Sequence, residues 1–243
     1  MPYIKKLYIF RDSIEVEKVF SGRYGKHTPH GKKKKPTPEE VKDINRRNAI
    51  KKLRRKIKAN FEPVRDYHMV LTYKKTNRPD PEQAKKNLDN FLNNMRRAYR
   101  KSGEELKYVI VTEYENKAIH HHMIINGIPD TIKLVSKYWP YGHPNFTPLW
   151  EEESMGELAE YLIKETDKTF KCGKYQKQRY RCSRNLTDPV CKVEVVKANS
   201  FRKDPKPIKG YYIDKNSIVT GTTKEFGYPY QYYTMIKIEK KRE

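Results

Sequence analysis

Val109-Ile110-Val111-Thr112-Glu113-Tyr114 and Ile119-His120-His121-His122-Met123-Ile124-Ile125 are two short apolar runs, separated by Glu115, Asn116, Lys117 and Ala118. Runs of this length and composition on either side of a polar break predict an antiparallel β-hairpin. With Asn116 and Lys117 as a two-residue turn, Glu113 falls opposite His120, and Val111 opposite His122. Side chains alternate along a strand, so His120, His122 and Glu113 then share one face while His121 points to the other. Two imidazoles and one carboxylate can hold a divalent cation and leave positions open for water or a phosphate oxygen. A three-residue loop would change the parity, leaving Glu115 or nothing as the third ligand.

The charge balance names the kind of partner. Lysine and arginine number 53 against 30 acidic residues, a formal net charge of +23 over 243 residues. Such an excess points to a polyanion, and nucleic acid is favoured over an anionic membrane because no basic amphipathic helix is joined to a hydrophobic anchor. No apolar run is long enough to span a bilayer, and the first six residues lack the apolar core of a signal peptide, so a cytoplasmic location without membrane contact is expected. Cys172, Cys182 and Cys191 are an odd number at long spacings with no C-x-x-C, which fits reduced thiols better than disulfides or zinc.

In chain order, Tyr3 to Phe10 and Ser13 to Phe20 alternate as strands, and Lys32-Lys33-Lys34-Lys35 lies in a basic loop after them. The first 60 residues hold 19 Lys or Arg against 6 Asp or Glu, making this region a candidate DNA clamp. Thr37-Pro38-Glu39-Glu40 starts a helix reaching about Asn60. Val41, Ile44, Ile50, Leu53 and Ile57 are expected inward on it, with Arg46, Arg47, Arg54 and Arg55 outside. A strand over Tyr67 to Tyr73 precedes a second capped start at Asp80-Pro81, after which Ala84, Leu88, Phe91, Leu92, Met95 and Tyr99 recur at helical spacing. Beyond the hairpin the pattern predicts a helix over Asp130 to Tyr138 and a short strand over Asn145 to Trp150. Further strands are expected around Gln178 to Arg181, Lys192 to Val196, Tyr211 to Ile213 and Tyr230 to Ile238.

Ser154-Met155-Gly156-Glu157 opens another helix, expected through about Thr166. Met155, Leu158, Ala159, Leu162 and Ile163 form its apolar stripe, and Tyr161 lies well over 90° from the centre of that stripe. A tyrosine outside the core stripe is a candidate nucleophile for phosphorus, although its ordinary pKa near 10 leaves it weak at neutral pH. Lys164, one turn later, supplies positive charge that would favour phenolate or steady the transition state.

Taken together, Val70-Leu71-Thr72-Tyr73, Glu113 with His120-His121-His122, and Tyr161-Leu162-Ile163-Lys164 resemble the three ordered motifs of HUH endonucleases. The resemblance is particularly to rolling-circle replication initiators with one tyrosine, from plasmids, phages and other mobile elements of bacteria. His121 departs from the hydrophobic residue at the centre of that motif. The amino-terminal basic helix and the stretch Cys182-Ser183-Arg184-Asn185-Leu186 are similar to parts of such initiators, which adds Arg184 to the DNA-binding candidates.

The resemblance implies an α+β fold: a central antiparallel β-sheet flanked by helices, a ferredoxin- or RRM-like palm. It implies Mg2+ or Mn2+ on His120, His122 and an acidic residue, and Tyr161 joined to a 5′ phosphate with a 3′ hydroxyl released for a polymerase. The expected division is a basic extension over 1–62, a nicking domain over 63–200 and a strand-containing extension over 201–243 packed on the same domain. Single-stranded or hairpin origin DNA is the expected substrate. No G-x-x-x-x-G-K-[ST] loop is present, so a host helicase and DNA polymerase are expected partners. Relaxases or single-tyrosine transposases with the same chemistry are the near alternative, and a non-catalytic nucleic-acid-binding module is the distant one.

Overall fold

The computed structural model describes residues 3–20, 37–114, 118–150, 154–171, 178–198, 200–222 and 228–238. Lys32 to Lys35, Glu115, the Asn116-Lys117 turn and Cys172 lie outside the described residues. Among those described, the fold is α+β, with two five-stranded antiparallel sheets and four α-helices. One of these is the expected antiparallel sheet with helices on its two faces, and the other is a second sheet. The chain divides into two compact units, Ile44–Asp188 on the one hand and Met1–Asp43 with Pro189–Glu243 on the other. These boundaries differ from the expected breaks at 62/63 and 200/201.

One unit is Ile44–Asp188. Its strands are β3 (Tyr67–Leu71), β4 (Tyr108–Glu113), β5 (His120–Ile125), β6 (Pro144–Pro148) and β7 (Arg181–Cys182), in the order β6-β3-β5-β4-β7. Alternation sorts the side chains into two cores. Met69, Leu71, Tyr108, Ile110, Met123 and Ile125 pack with Leu88, Phe91, Leu92, Met95 and Tyr99 of α2 (Pro81–Lys101), and with Val135 of α3 (Thr131–Tyr138). Val109, Val111 and Ile124 pack with Leu53 and Ile57 of α1 (Pro38–Asn60), and with Met155, Ala159, Leu162 and Ile163 of α4 (Ser154–Lys171). Each fully buried side chain of this size contributes about 1.5–3 kcal/mol, so both faces are firmly held.

Local chemistry sets the helix starts. Thr37 Oγ1 accepts the Glu40 N–H at 3.2 Å while Glu40 Oε2 accepts the Thr37 N–H at 2.8 Å, a reciprocal capping box. Asp80 Oδ1 accepts the Gln83 N–H at 2.8 Å, and Pro81 takes the first helical position of α2. On α1, Leu53 and Ile57 are buried as expected and Ile44 and Ile50 half-buried, but Val41 is exposed. Of the four arginines expected outside, only Arg47 is fully exposed; Arg46, Arg54 and Arg55 are half-buried. The Arg54 side chain lies against Gly156 at the start of α4. Helix α4 runs five residues past the expected end at Thr166.

The other unit contains β1 (Tyr3–Ile9), β2 (Ser13–Phe20), β8 (Val190–Val196), β9 (Tyr211–Thr222) and β10 (Pro229–Lys237), ordered β8-β1-β2-β10-β9. Leu7, Ile14, Val16, Tyr233 and Met235 form its core. Inside it, Lys18 Nζ donates to Gln231 Oε1 at 2.8 Å, and burial together with Lys5 pulls the Lys18 pKa below its ordinary value. Among the described residues Cys182 is half-buried and Cys191 exposed, and neither is in a disulfide.

Candidate active site

Strands β4 and β5 pair with Glu113 opposite His120 and Val111 opposite His122. Val111 belongs to the core beneath α1 and α4, so Glu113, His120 and His122 lie on that face of the sheet. Glu113 Oε2 is 3.7 Å from His122 Nε2 and 4.0 Å from His120 Nδ1. Both separations exceed a hydrogen bond, and among the described residues no group of three or more His, Cys, Asp or Glu is closed into a metal-holding cluster. The donors nonetheless suit a divalent cation. His122 is buried, and neither of its ring nitrogens has a hydrogen-bond partner among the described residues. Burial pushes its pKa down to about 4, with His68 and His120 adding to the effect, so the ring is neutral at neutral pH and one of its nitrogens offers a lone pair. The His120 pKa is lowered by burial and by the Arg78 charge.

His121 points to the other face and behaves as a core residue. Its Nε2 lies 3.0 Å from the Tyr73 hydroxyl and its Nδ1 lies 2.9 Å from the Thr112 hydroxyl, with Trp139 edge-on at 5.6 Å. Burial drives its pKa to about 3. It is unavailable to the candidate cation.

Tyr161 of α4 is 42% exposed, and its ring meets that of His122 edge-on with centroids 5.4 Å apart. The apolar stripe fixes this arrangement: Leu162 and Ile163 bury against Val109 and Val111, which turns the preceding residue toward the rim of the same face. Tyrosine and imidazole are thus brought together from segments about forty positions apart. Lys164 is exposed, and its ammonium makes no hydrogen bond or ion pair with a described residue. The surroundings of Tyr161 raise its pKa, through burial first and then the charges of Glu165 and Glu113.

Three residues of this site escaped the sequence reading. His68 of β3 stacks on His122 with the rings 5.8 Å apart and 7° from parallel, and its pKa is pushed down to about 4 by burial. Arg78 brings a guanidinium within electrostatic reach of His120, and Glu165 does the same with a carboxylate for Tyr161. His68 had a usable signal, since it alternates with Met69 and Leu71 and so belongs on the face away from them. Of the basic candidates, Arg46, Arg47, Arg54 and Arg55 lie along α1, and Arg184 follows β7.

The family model for Replication-associated protein ORF2/G2P matches residues 66–170, which run from β3 through α4 and include every member of this site. No curated protein and no solved structure matches the chain. The family match supports a replication-associated protein.

Proposed function

We propose that this chain is a replication initiator that nicks one strand of origin DNA through Tyr161, with His120, His122 and Glu113 holding Mg2+ or Mn2+. The observation that carries the reading is the meeting of Tyr161 with His122 on the face that also holds His120 and Glu113. A bound cation at that trio would supply Lewis-acid polarisation of the scissile phosphate. His120, His122 and Glu113, positioned by β4 and β5, would hold that cation, and Arg78 and Lys164 offer positive charge to the phosphate oxygens.

In the forward step the Tyr161 oxygen forms a bond to phosphorus and gives its proton to water. The bond from phosphorus to the 3′ oxygen breaks, and that oxygen takes up a proton to become the 3′ hydroxyl used by a polymerase. The product is a 5′-phosphotyrosine. Reversal, with a 3′ hydroxyl attacking and the tyrosine leaving, rejoins the strand without ATP because the phosphodiester count is unchanged.

Incubating the protein and manganese with labelled origin, transfer-origin and transposon-end oligonucleotides tests the role. Preferred cleavage of origin substrates is expected. Preference for transfer-origin or transposon-end DNA would reassign the same chemistry to a relaxase or a transposase, and binding without cleavage of any substrate would leave a nucleic-acid-binding module.

A further inference from the structure

A cleft of about 510 Å³ lies between α2, the beginning of β4 and the segment following β7, lined by Arg96, Arg100, Tyr108, Arg181, Arg184 and Asn185 among others. Tyr108 belongs to the core beneath α2, so the cleft opens on the face of the sheet opposite His120 and His122. Tyr108 also precedes Glu113 by five residues on β4, about 17 Å along the strand. The cleft is therefore separate from the candidate active site.

Its charges are unevenly matched. Arg181 is paired with Asp89, and Asn185 Nδ2 donates to Glu105 Oε2 at 3.1 Å. Arg96 is held in place, its Nη2 donating to the Tyr108 hydroxyl at 2.8 Å and its Nη1 to Asn93 Oδ1 at 2.9 Å. Arg100 and Arg184 are exposed, and neither guanidinium has a hydrogen bond or ion pair with another described residue. Four guanidinium groups thus face two carboxylates, and two of the forks are uncommitted among the described residues.

We propose that this cleft binds the phosphodiester backbone of DNA at a position remote from Tyr161. Guanidinium forks match phosphate oxygens in pairs, and their remaining donors suit successive phosphates better than a single small anion. Strand β7 has only two residues and ends the sheet, so a strand of DNA can pass around that edge from one face to the other. The choice of DNA over an acidic peptide rests on the nicking reading above and on the +23 charge of the chain.

The test is fluorescence anisotropy with a labelled 30-nucleotide single strand, using the full chain in EDTA across a salt series. R100A/R184A is compared with K85A/K86A, which removes two exposed charges from α2 outside the cleft. R100A/R184A is expected to weaken binding about tenfold and to reduce the slope of log K against log salt by about 1.4, the value for two lost single-strand phosphate contacts. R184A alone is expected to lose about half of that slope, and K85A/K86A much less than the arginine pair. Equal losses in the two double variants would mean that only net charge matters and would overturn the site. Unchanged DNA binding with lost binding of a labelled polyglutamate peptide would overturn it too, in favour of an acidic protein partner. The same preparations are assayed with manganese for a tyrosine adduct. A wild-type adduct with indistinguishable anisotropy in both variants sinks the cleft alone, whereas DNA binding without a wild-type adduct sinks the nicking reading alone.

Discussion

His122 is only 5% exposed at its side chain and leaves both ring nitrogens without hydrogen-bond partners among the described residues. Such a group costs roughly 1–3 kcal/mol while it stays unsatisfied. Manganese is therefore expected to raise the melting temperature, by the equivalent of about 2.7 kcal/mol at a hundredfold excess over its dissociation constant. Differential scanning fluorimetry should show that shift in the wild type and none in His122→Ala. His121→Ala provides the contrast, because that imidazole joins Tyr73, Thr112 and Trp139 on the other face. It is expected to lower stability by about 2–3 kcal/mol while leaving the manganese shift in place. The difference between adjacent histidines was legible in the sequence, because parity within a hairpin follows from strand alternation and a turn length. His68, Arg78 and Glu165 were not read, since their approach depends on how β3, the segment after it and α4 are placed around the hairpin.

At the scale of elements, α2 shows what local sequence can determine. Asp80, Pro81 and the apolar spacing marked its start and its buried face, and Tyr99 lies at the end of that stripe with no exposed surface. The Tyr99 hydroxyl donates to the Asn126 carbonyl at 2.6 Å and lies 3.0 Å from Thr131 Oγ1, joining α2 to the segment after β5 and to α3. Tyr99→Phe is expected to cost about 1–2 kcal/mol in urea unfolding. Val64, in the link between α1 and β3, has a φ of 67°, which a β-branched residue rarely adopts. The residue is 68% exposed, so Val64→Gly loses little packing and is expected to stabilise the protein by about 1 kcal/mol in the same measurement. Strand β9 was legible only over Tyr211 to Ile213. The rest of its length is largely polar and owes its extended form to pairing with β10, where the register shifts between Tyr232 and Thr234. No local periodicity encodes such a partner.

For the whole molecule, the deciding pairings join distant ends of the chain. Tyr3 pairs with Val196, and Val19 with Tyr230, so the two segments read as extensions share one sheet with a strand read as part of the nicking domain. Ending the chain at residue 200 removes Tyr233 and Met235 from the core of Leu7, Ile14 and Val16. Hydrogen exchange should then show lost protection in β1 and β2 with protection retained in β3, β4 and β5. Equal loss in both sheets would show that they do not fold as separate units. The +23 charge was plain from composition and indicated a polyanion, but the cleft of Arg96, Arg100, Arg181 and Arg184 is assembled from α2 and the segment around β7, which no spacing rule connects. The proposed nucleophile is the phenolic oxygen of Tyr161, and a denaturing gel reads its chemistry directly. Wild type and Tyr161→Phe are incubated with manganese and single-stranded DNA labelled at either end. A shifted band that retains the DNA 3′ of the nick, requires manganese and is absent from the variant is the expected result. A band that persists in Tyr161→Phe, or cleavage with no covalent adduct in the wild type, would contradict the assignment of Tyr161 as nucleophile.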